Sequence, residues 1–362
     1  MEGQKSKTFE NLLSLIPLHL KENFNNLILI EHGPLEINGF SITFWANFQS
    51  DLGKISLYVK IPKIIWGNKK IGFDYPVTEE DRVLARNEFR SLKNLSVTWN
   101  SDPRVSFIRP LGYIKEFNAI ITERVYGDFF FKKYRSQDFK RRLKNKICTE
   151  TKDDLYRFGK SLQHFHQREI RNSIFKSKKA LKKHYQYLEA LKNYDVNLTK
   201  IDIISGYLKD YINTSHPSLE VNNLKGIDIR QILIETEDAM RILDPGKISR
   251  SYVEVDLARF IVTCRILYWG TLWILFKFRP DKKYEQSFIN GYANVGKFSN
   301  EVLNIMIIKE ILKHWQMAHI SLHKRSWPSF FKYALKKIYI DRFYMTLFND
   351  QVNSNYTEYP SK

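Results

Sequence analysis

The chain has 362 residues, 43% of them hydrophobic and 14% aromatic, which excludes wholesale disorder and leaves room for two domains or two lobes. Its formal net charge of +19 favours anionic partners (nucleotides, acidic or phosphorylated glycans, nucleic acid, a membrane surface) without choosing among them. The two cysteines, Cys148 and Cys264, make neither a metal spacing nor a disulfide framework, and a reducing compartment fits them best.

The first 26 residues read as a short amphipathic helix rather than a signal peptide. Their apolar run is short, is broken by Pro17 and is followed by no small-residue cleavage site. Residues 27–63 read as strands. Ile42, Phe44, Ala46 and Phe48 alternate with Ser41, Thr43, Trp45 and Asn47; Ile55, Leu57, Val59 and Ile61 then share one face, opposite Ser56, Tyr58 and Lys60. Asp51-Leu52-Gly53-Lys54 between the runs is a hairpin signal. Thr78 and Asp81 form a capping-box pattern, after which Leu84, Ala85, Phe89, Leu92 and Leu95 recur at helical spacing with Glu88 at the stripe's edge. Two more strand-like runs follow, at 104–114 and 118–127.

Composition then shifts. From Phe131 to Ile147 there are eight Lys/Arg against one acid, and a second basic block follows at 175–187. The bland reading of both blocks is solvated helix faces and loops; the sharper one is a docking surface for an anionic substrate or membrane. The pattern to residue 222 reads as mostly helical, with Thr151 as the cap of a helix striped by Leu155, Phe158, Leu162, Phe165 and His166. Residues 232–243 read as a short hairpin, and helices return from 254. Phe260–Phe276 imitates a membrane span, but 17 residues carrying Arg265 and Gly270 are better placed in a buried helix. His164 and His166 face different sides of their helix, so His166 is expected to be a satisfied core histidine rather than a metal ligand.

Four residues have the chemistry that phosphoryl transfer needs: charge around phosphates, an oxygen-held metal and an oriented acceptor. Lys60 on a strand suits nucleotide phosphates. Glu88 on the next helix suits an ion pair with Lys60. Asp244, before Pro245-Gly246, suits Mg²⁺, and Gln231 offers the metal a side-chain oxygen. Singly, each has an ordinary explanation: surface lysine, neighbour-paired glutamate, turn aspartate. Their order along the chain is the stronger signal.

That order resembles the protein-kinase-like fold in its bacterial aminoglycoside-phosphotransferase and choline-kinase-like branch. YVKIPK looks like the family's lysine strand and NEF its helix glutamate. AIITERVYG looks like the hinge, FGKSLQHFHQ the LAxLH helix and IDIRQILI the end of the HGDxxPxNIL loop with Gln for Asn. LDPG looks like the metal-binding segment, EVDLARF the DLA helix and FINGY a later FxxGY signature. The match covers roughly residues 27–295. It implies an α+β two-lobe fold with a small antiparallel sheet in the N-lobe and a large helical C-lobe. The corresponding boundaries are an N-terminal helix at 1–26, an N-lobe at 27–125, a C-lobe at 126–350 and a tail at 351–362. It implies ATP and Mg²⁺ as cofactors, adenine meeting the backbone from Glu123 to Val125, and Asp256 bracing the loop around residue 226. The phosphate-covering loop is reduced to Asn38-Gly39-Phe40-Ser41, where Gly39 and Ser41 are the candidates to cover a phosphate.

One departure divides the functional reading. With Gln231-Ile232-Leu233 on the family's Asn-Ile-Leu, the catalytic aspartate slot holds Gly226 and the histidine slot Leu224. Asp228 is the nearest carboxylate and the candidate base. Two readings therefore stand: an ATP-dependent phosphotransferase acting on a small molecule or glycan, or a pseudokinase-like binding or scaffold protein. The charge disfavours cationic aminoglycosides and favours an anionic cell-envelope sugar. A cytoplasmic location, at the inner face of the membrane if it makes peripheral contact, fits both readings. Nucleic acid is disfavoured because no recognition motif accompanies the charge.

Overall fold

The computed structural model describes residues 2–37, 41–63, 78–99, 102–136, 149–235, 239–268, 282–293 and 297–353. The chain divides into two compact units, one of residues 1–128 with 233–247 and the other of 129–232 with 248–362. The segment 233–247, expected with the C-terminal lobe, groups with the first unit because its strand pairs there.

In the first unit, helix α1 (Glu2–Leu20) precedes strands β1 (Ile28–His32), β2 (Glu36–Ile37), β3 (Ser41–Ser50) and β4 (Gly53–Pro62). Helix α2 (Glu79–Thr98) leads to β5 (Val105–Phe107), β6 (Pro110–Ile114) and β7 (Ala119–Glu123), and the two-residue strand β8 (Asp128–Phe129) follows at the end of this stretch. The main sheet runs β1-β3-β4-β7-β6, antiparallel throughout, with β2 also on β3. Alternation settles its faces as expected. Ile42, Phe44, Ala46 and Phe48 of β3 and Leu57, Val59 and Ile61 of β4 are buried with Leu12, Leu13, Ile16 and Leu20 of α1. Each such side chain contributes about 1.5–3 kcal/mol of burial free energy. The β3–β4 hairpin turns on Asp51-Leu52, and Gly53 follows at φ +108°, where an L side chain would be strained.

The opposite face of β4 turns Lys60 toward α2. That helix starts at the expected capping box: Asp81 N donates to Thr78 Oγ1 and Thr78 N to Asp81 Oδ2, both at 3.1 Å. Its stripe differs from expectation. Leu84 is exposed, whereas Ala85, Glu88, Leu92 and Leu95 are buried, so Glu88 lies within the stripe.

In the second unit, helix α3 (Thr149–Gln167) starts before Thr151, which is therefore an internal, buried residue and not the cap. The stretch to 222 also contains two strands that the sequence pattern does not announce. β9 (Arg171–Lys176) and β10 (Ser215–Leu224) flank helices α4 (Ser177–Lys192) and α5 (Leu198–Lys209). After β11 (Ile232–Ile234) and β12 (Met240–Ile242), β13 (Ile248–Tyr252) completes an antiparallel sheet in the order β13-β10-β9. β9 is mostly exposed and β10 contains Pro217 and Asn222-Asn223, so neither has the composition of a strand; backbone pairing supplies what propensity lacks.

The remaining helices are α6 (Glu254–Arg265), α7 (Lys282–Ala293), α8 (Asn300–His323), α9 (Ser329–Ala334) and α10 (Asp341–Asn353). α6 is buried along nearly its whole length. Its Arg265 is buried but paired: Nε and Nη2 donate to the two carboxylate oxygens of Glu285, each at 2.8 Å. The span-like stretch beyond residue 268 lies outside the described residues, and among those described no helix is long and apolar enough to cross a membrane.

α3 and α7 meet backbone to backbone. A Cβ on Gly159 would sit 2.1 Å from the carbonyl oxygen of Phe288, and one on Gly291 would sit 2.0 Å from that of Tyr156. Gly291→Ala should therefore lower stability by about 1–3 kcal/mol through overpacking. Gly206→Ala, inside α5 with nothing within 4 Å of the added carbon, should raise it by about 0.5–1 kcal/mol. Urea-unfolding midpoints read both; an unchanged midpoint for Gly291→Ala would show that the two helices separate freely.

Candidate functional site

Lys60, Glu88 and Asp244 come together inside the first unit. β4 fixes the lysine and α2 the glutamate. Asp244 arrives because β12 pairs in parallel with β5, Met240 opposite Val105 and Ile242 opposite Phe107, and the chain leaves this strand into Asp244-Pro245-Gly246. Gly246, at φ +61°, donates its N–H to Asp244 Oδ1 at 2.9 Å, an Asx-type turn that fixes the carboxylate. Lys60 Nζ donates to Glu88 Oε1 at 2.7 Å and to Asp244 Oδ2 at 2.8 Å.

The three side chains differ in depth. Glu88 is 6% exposed, Lys60 22% and Asp244 26%. One ammonium faces two carboxylates, so their titrations separate. Burial, reinforced by the charge of Asp244, raises Glu88 to about 7 against the pull of Lys60. Burial acts upward on Asp244 as well, but Lys60 and the Gly246 N–H outweigh it and hold that carboxyl below its usual range. Lys60 is raised: burial opposes its charge, and the two carboxylates overcome it. Asp244 is therefore the carboxylate that keeps its charge and has an edge toward solvent.

The segment after β7 is also fixed within this unit. Arg109 N donates to Glu123 Oε1 at 2.9 Å and Glu123 N to Arg109 O at 3.1 Å. The Arg124 guanidinium lies 4.2 Å from the Trp45 ring centroid and 4.7 Å from that of Tyr126. Val125 is half-buried between these anchored neighbours. Gly39 lies outside the described residues. Ser41 opens β3 opposite Pro62 and is buried, so its hydroxyl stands in the sheet and not at a loop tip.

Asp228 and Gln231 belong to the second unit and share one 3-10 turn, Ile229–Gln231, capped by Asp228. Arg230 N donates to Asp228 Oδ1 at 2.9 Å, and Arg230 Nε reaches Oδ1 and Oδ2 at 2.9 and 3.1 Å, with Nη2 also on Oδ2. Sequence reasoning missed this partner, although an arginine two residues after a capping aspartate is within easy reach of it. Gln231 is half-buried, with its N–H on Asp228 O at 2.9 Å.

The brace around the loop takes the form that the resemblance implies. Asp256 Oδ2 accepts from Leu224 N at 2.8 Å and lies 3.2 Å from His166 Nε2. His166 Nδ1 is 2.9 Å from the Tyr292 hydroxyl. Arg259, which the sequence left unassigned, donates from Nη1 to Leu224 O at 2.7 Å. His166 is thus a satisfied core histidine. The basic block at 175–187 is the solvated face of α4, with Lys178, Lys179, Lys182 and Lys183 exposed; most of the other block lies outside the described residues.

No family profile matches the sequence, and no curated protein does. The fold does have counterparts. The chain is similar to a spectinomycin phosphotransferase solved with ADP and spectinomycin, at a TM-score of 0.51 and 14% identity over 94% of this chain and 98% of the other. It is similar to a macrolide 2′-phosphotransferase from Brachybacterium faecium, at 0.52 and 12% identity over 95% and 98% of the two chains. The chain therefore has the protein-kinase-like fold found in these antibiotic phosphotransferases, with an antiparallel sheet in one unit and a mainly helical other.

Glu88 makes the site's pH behaviour testable. The unfolded chain releases this proton near 4.5 and the folded chain near 7, so the stability it contributes is present below that window and is lost as pH rises through it. Glu88→Gln should remove the decline. Its unfolding free energy relative to the unsubstituted protein should improve by something on the order of 2 kcal/mol between about pH 5 and pH 8. A constant difference across that range would show that Glu88 stays ionised.

Proposed function

We propose that the chain is a phosphotransferase that moves the γ-phosphate of ATP to a hydroxyl of a small molecule or glycan. The observation that carries this reading is the single ammonium of Lys60 held between Glu88 and Asp244. A structural ion pair needs one carboxylate; a second, more exposed carboxylate on a turn is what a metal–phosphate site requires.

The residues fit the absent groups. Asp244 is anionic, partly exposed and fixed by Gly246, and Mg²⁺ is commonly held by one or two protein oxygens with the rest from water and phosphate. Asp244 would hold the ion, and when bound the ion supplies neutralisation of phosphate charge. Lys60 would contact phosphate oxygens while Glu88 keeps its orientation. The backbone from Glu123 to Val125 would take the adenine, on a segment steadied by Arg124 between Trp45 and Tyr126. Gly39 and Ser41 are weaker candidates to cover the phosphates, Ser41 because its side chain is buried. Asp228 would orient the acceptor hydroxyl and accept its proton once released from Arg230.

The acceptor class follows from charge. A net charge of +19 repels the cationic aminoglycosides and attracts anionic sugars such as those of the cell envelope. A cytoplasmic location is consistent with this reading.

A second reading, a binding or scaffold protein of the same fold, draws on one observation. Gly226 stands in the catalytic slot, and the nearest carboxylate, Asp228, is held by the guanidinium of Arg230. Incubation with radiolabelled ATP and Mg²⁺ separates the two. Slow ATP turnover is expected, falling by roughly 10²–10³-fold or more in Asp244→Ala. Identical background in both proteins would sink the enzyme reading. A thermal shift with ATP that Lys60→Ala abolishes would leave nucleotide binding standing by itself.

A further inference from the structure

We infer that the surface formed by residues 323–338 is a docking site for a phospholipid bilayer with anionic headgroups. The stretch reads HKRSWPSFFKYALKKI: five Lys/Arg, no Asp or Glu, and four aromatic rings in 16 residues. It is neither of the two basic blocks evident in the sequence, and nothing in the phosphotransferase reading uses it.

The structure puts those rings in water. Phe330 is 81% exposed, Ile338 69%, Tyr333 61%, Phe331 51% and Trp327 37%. α9 buries none of its residues. This is not a loose segment. Trp327 packs edge-on against Phe331 with centroids 5.2 Å apart, the Arg325 guanidinium lies 4.5 Å from the Trp327 ring centroid, and Lys332 Nζ donates to His323 O at 3.2 Å. Just beyond, Tyr339, Ile340, Phe343 and Tyr344 are buried, so the helical run is anchored at one end and presents apolar rings at the other.

Charge selects the occupant. A bare apolar face would suit many partners, but here the rings alternate with exposed Lys324 and Arg325 and half-buried Lys332. Asp195 lies against the end of the stretch remote from Trp327, where its carboxylate takes Lys336 and its carbonyl Lys337. Aromatic side chains that sit at the headgroup level, interleaved with cations and free of anions, are the composition of an interfacial anchor on an acidic membrane. Another apolar exposure among the described residues, Ile28, Leu29 and Ile30 on β1, is followed by Glu31 and lacks that composition.

Vesicle co-sedimentation with the full chain tests the inference. The protein should sediment with vesicles of equal parts phosphatidylcholine and phosphatidylglycerol and stay in solution with phosphatidylcholine alone. Phe330→Ser with Phe331→Ser should weaken binding by about tenfold or more through lost apolar insertion. Arg325→Ala with Lys332→Ala should weaken it by about fivefold for each cation removed. All four side chains lie at the surface or half-exposed, and thermal melts confirm that each variant folds. Absence of sedimentation, equal sedimentation with both vesicle types, or full binding by the Phe330/Phe331 variant each overturns the inference; the last would mean that the general positive charge of the chain does the binding. So would a dimer in light scattering that the same variant converts to monomer, which would make the patch a contact between copies of this chain.

Discussion

A single half-buried ammonium ties together three stretches that lie far apart in sequence. Lys60 on β4, Glu88 on α2 and Asp244 after β12 meet through two short hydrogen bonds. An ammonium or a carboxylate in such a place is costly unless paired, and removing one partner of a buried pair typically costs about 3–5 kcal/mol. The first unit can hold the segment 233–247 because this charge cluster rewards the approach and the pairing of β12 with β5, outside the main sheet, sets its register. The cluster is asymmetric. Glu88 is enclosed, whereas Asp244 keeps a quarter of its side chain accessible. Asp244 can therefore exchange Lys60 for another cation at modest desolvation cost, and Lys60 would still have Glu88. The arrangement leaves neither the lysine nor the aspartate uncompensated when the site changes partners.

The second unit spends its buried polar groups differently. Tyr292, His166 and Asp256 form a chain of hydrogen bonds that ends on the Leu224 N–H, and Arg259 takes the carbonyl of the same residue. Both backbone groups of Leu224 are thus held by side chains, and the carboxylate on its N–H is itself tied into a hydrogen-bonded chain, an arrangement that rigidifies a fold. The loop entering residues 225–228 has a fixed starting point even though Leu224 and Gly226 offer no reactive side chains. What this scaffold preserves is the position of the loop.

These features were unequally legible in the sequence. Period-two alternation in β3 and β4 and the Thr78/Asp81 capping box are local signals, and the structure follows them. Lys60 was readable because alternation puts it on the face opposite Val59 and Ile61. The position of Glu88 within the α2 stripe was not, because Leu84 looks like a core residue until the sheet and Asp244 turn the helix so that Glu88 points inward and Leu84 outward. β9 and β10 escaped notice since pairing with β13 stabilises them and their own composition does not. Arg259 and Arg230 lacked assignments for a related reason: arginine partners are chosen by three-dimensional neighbours, of which the sequence reveals only the nearest.

The pair of Asp228 and Arg230 joins the question of the base to that of the acceptor. Arg230 is half exposed while Asp228 keeps only 15% of its side chain accessible, so the fork opens at low cost only where another charged group takes the place of one partner. Opening yields a carboxylate and a guanidinium two residues apart on one turn. A cationic acceptor would compete for Asp228 itself and so occupy the candidate base. An anionic acceptor would instead take the guanidinium, through the planar fork that suits carboxylate and phosphate groups, and by doing so release Asp228. The sign of the acceptor's charge and the availability of a base are then one condition, and the positive balance of the whole chain points the same way.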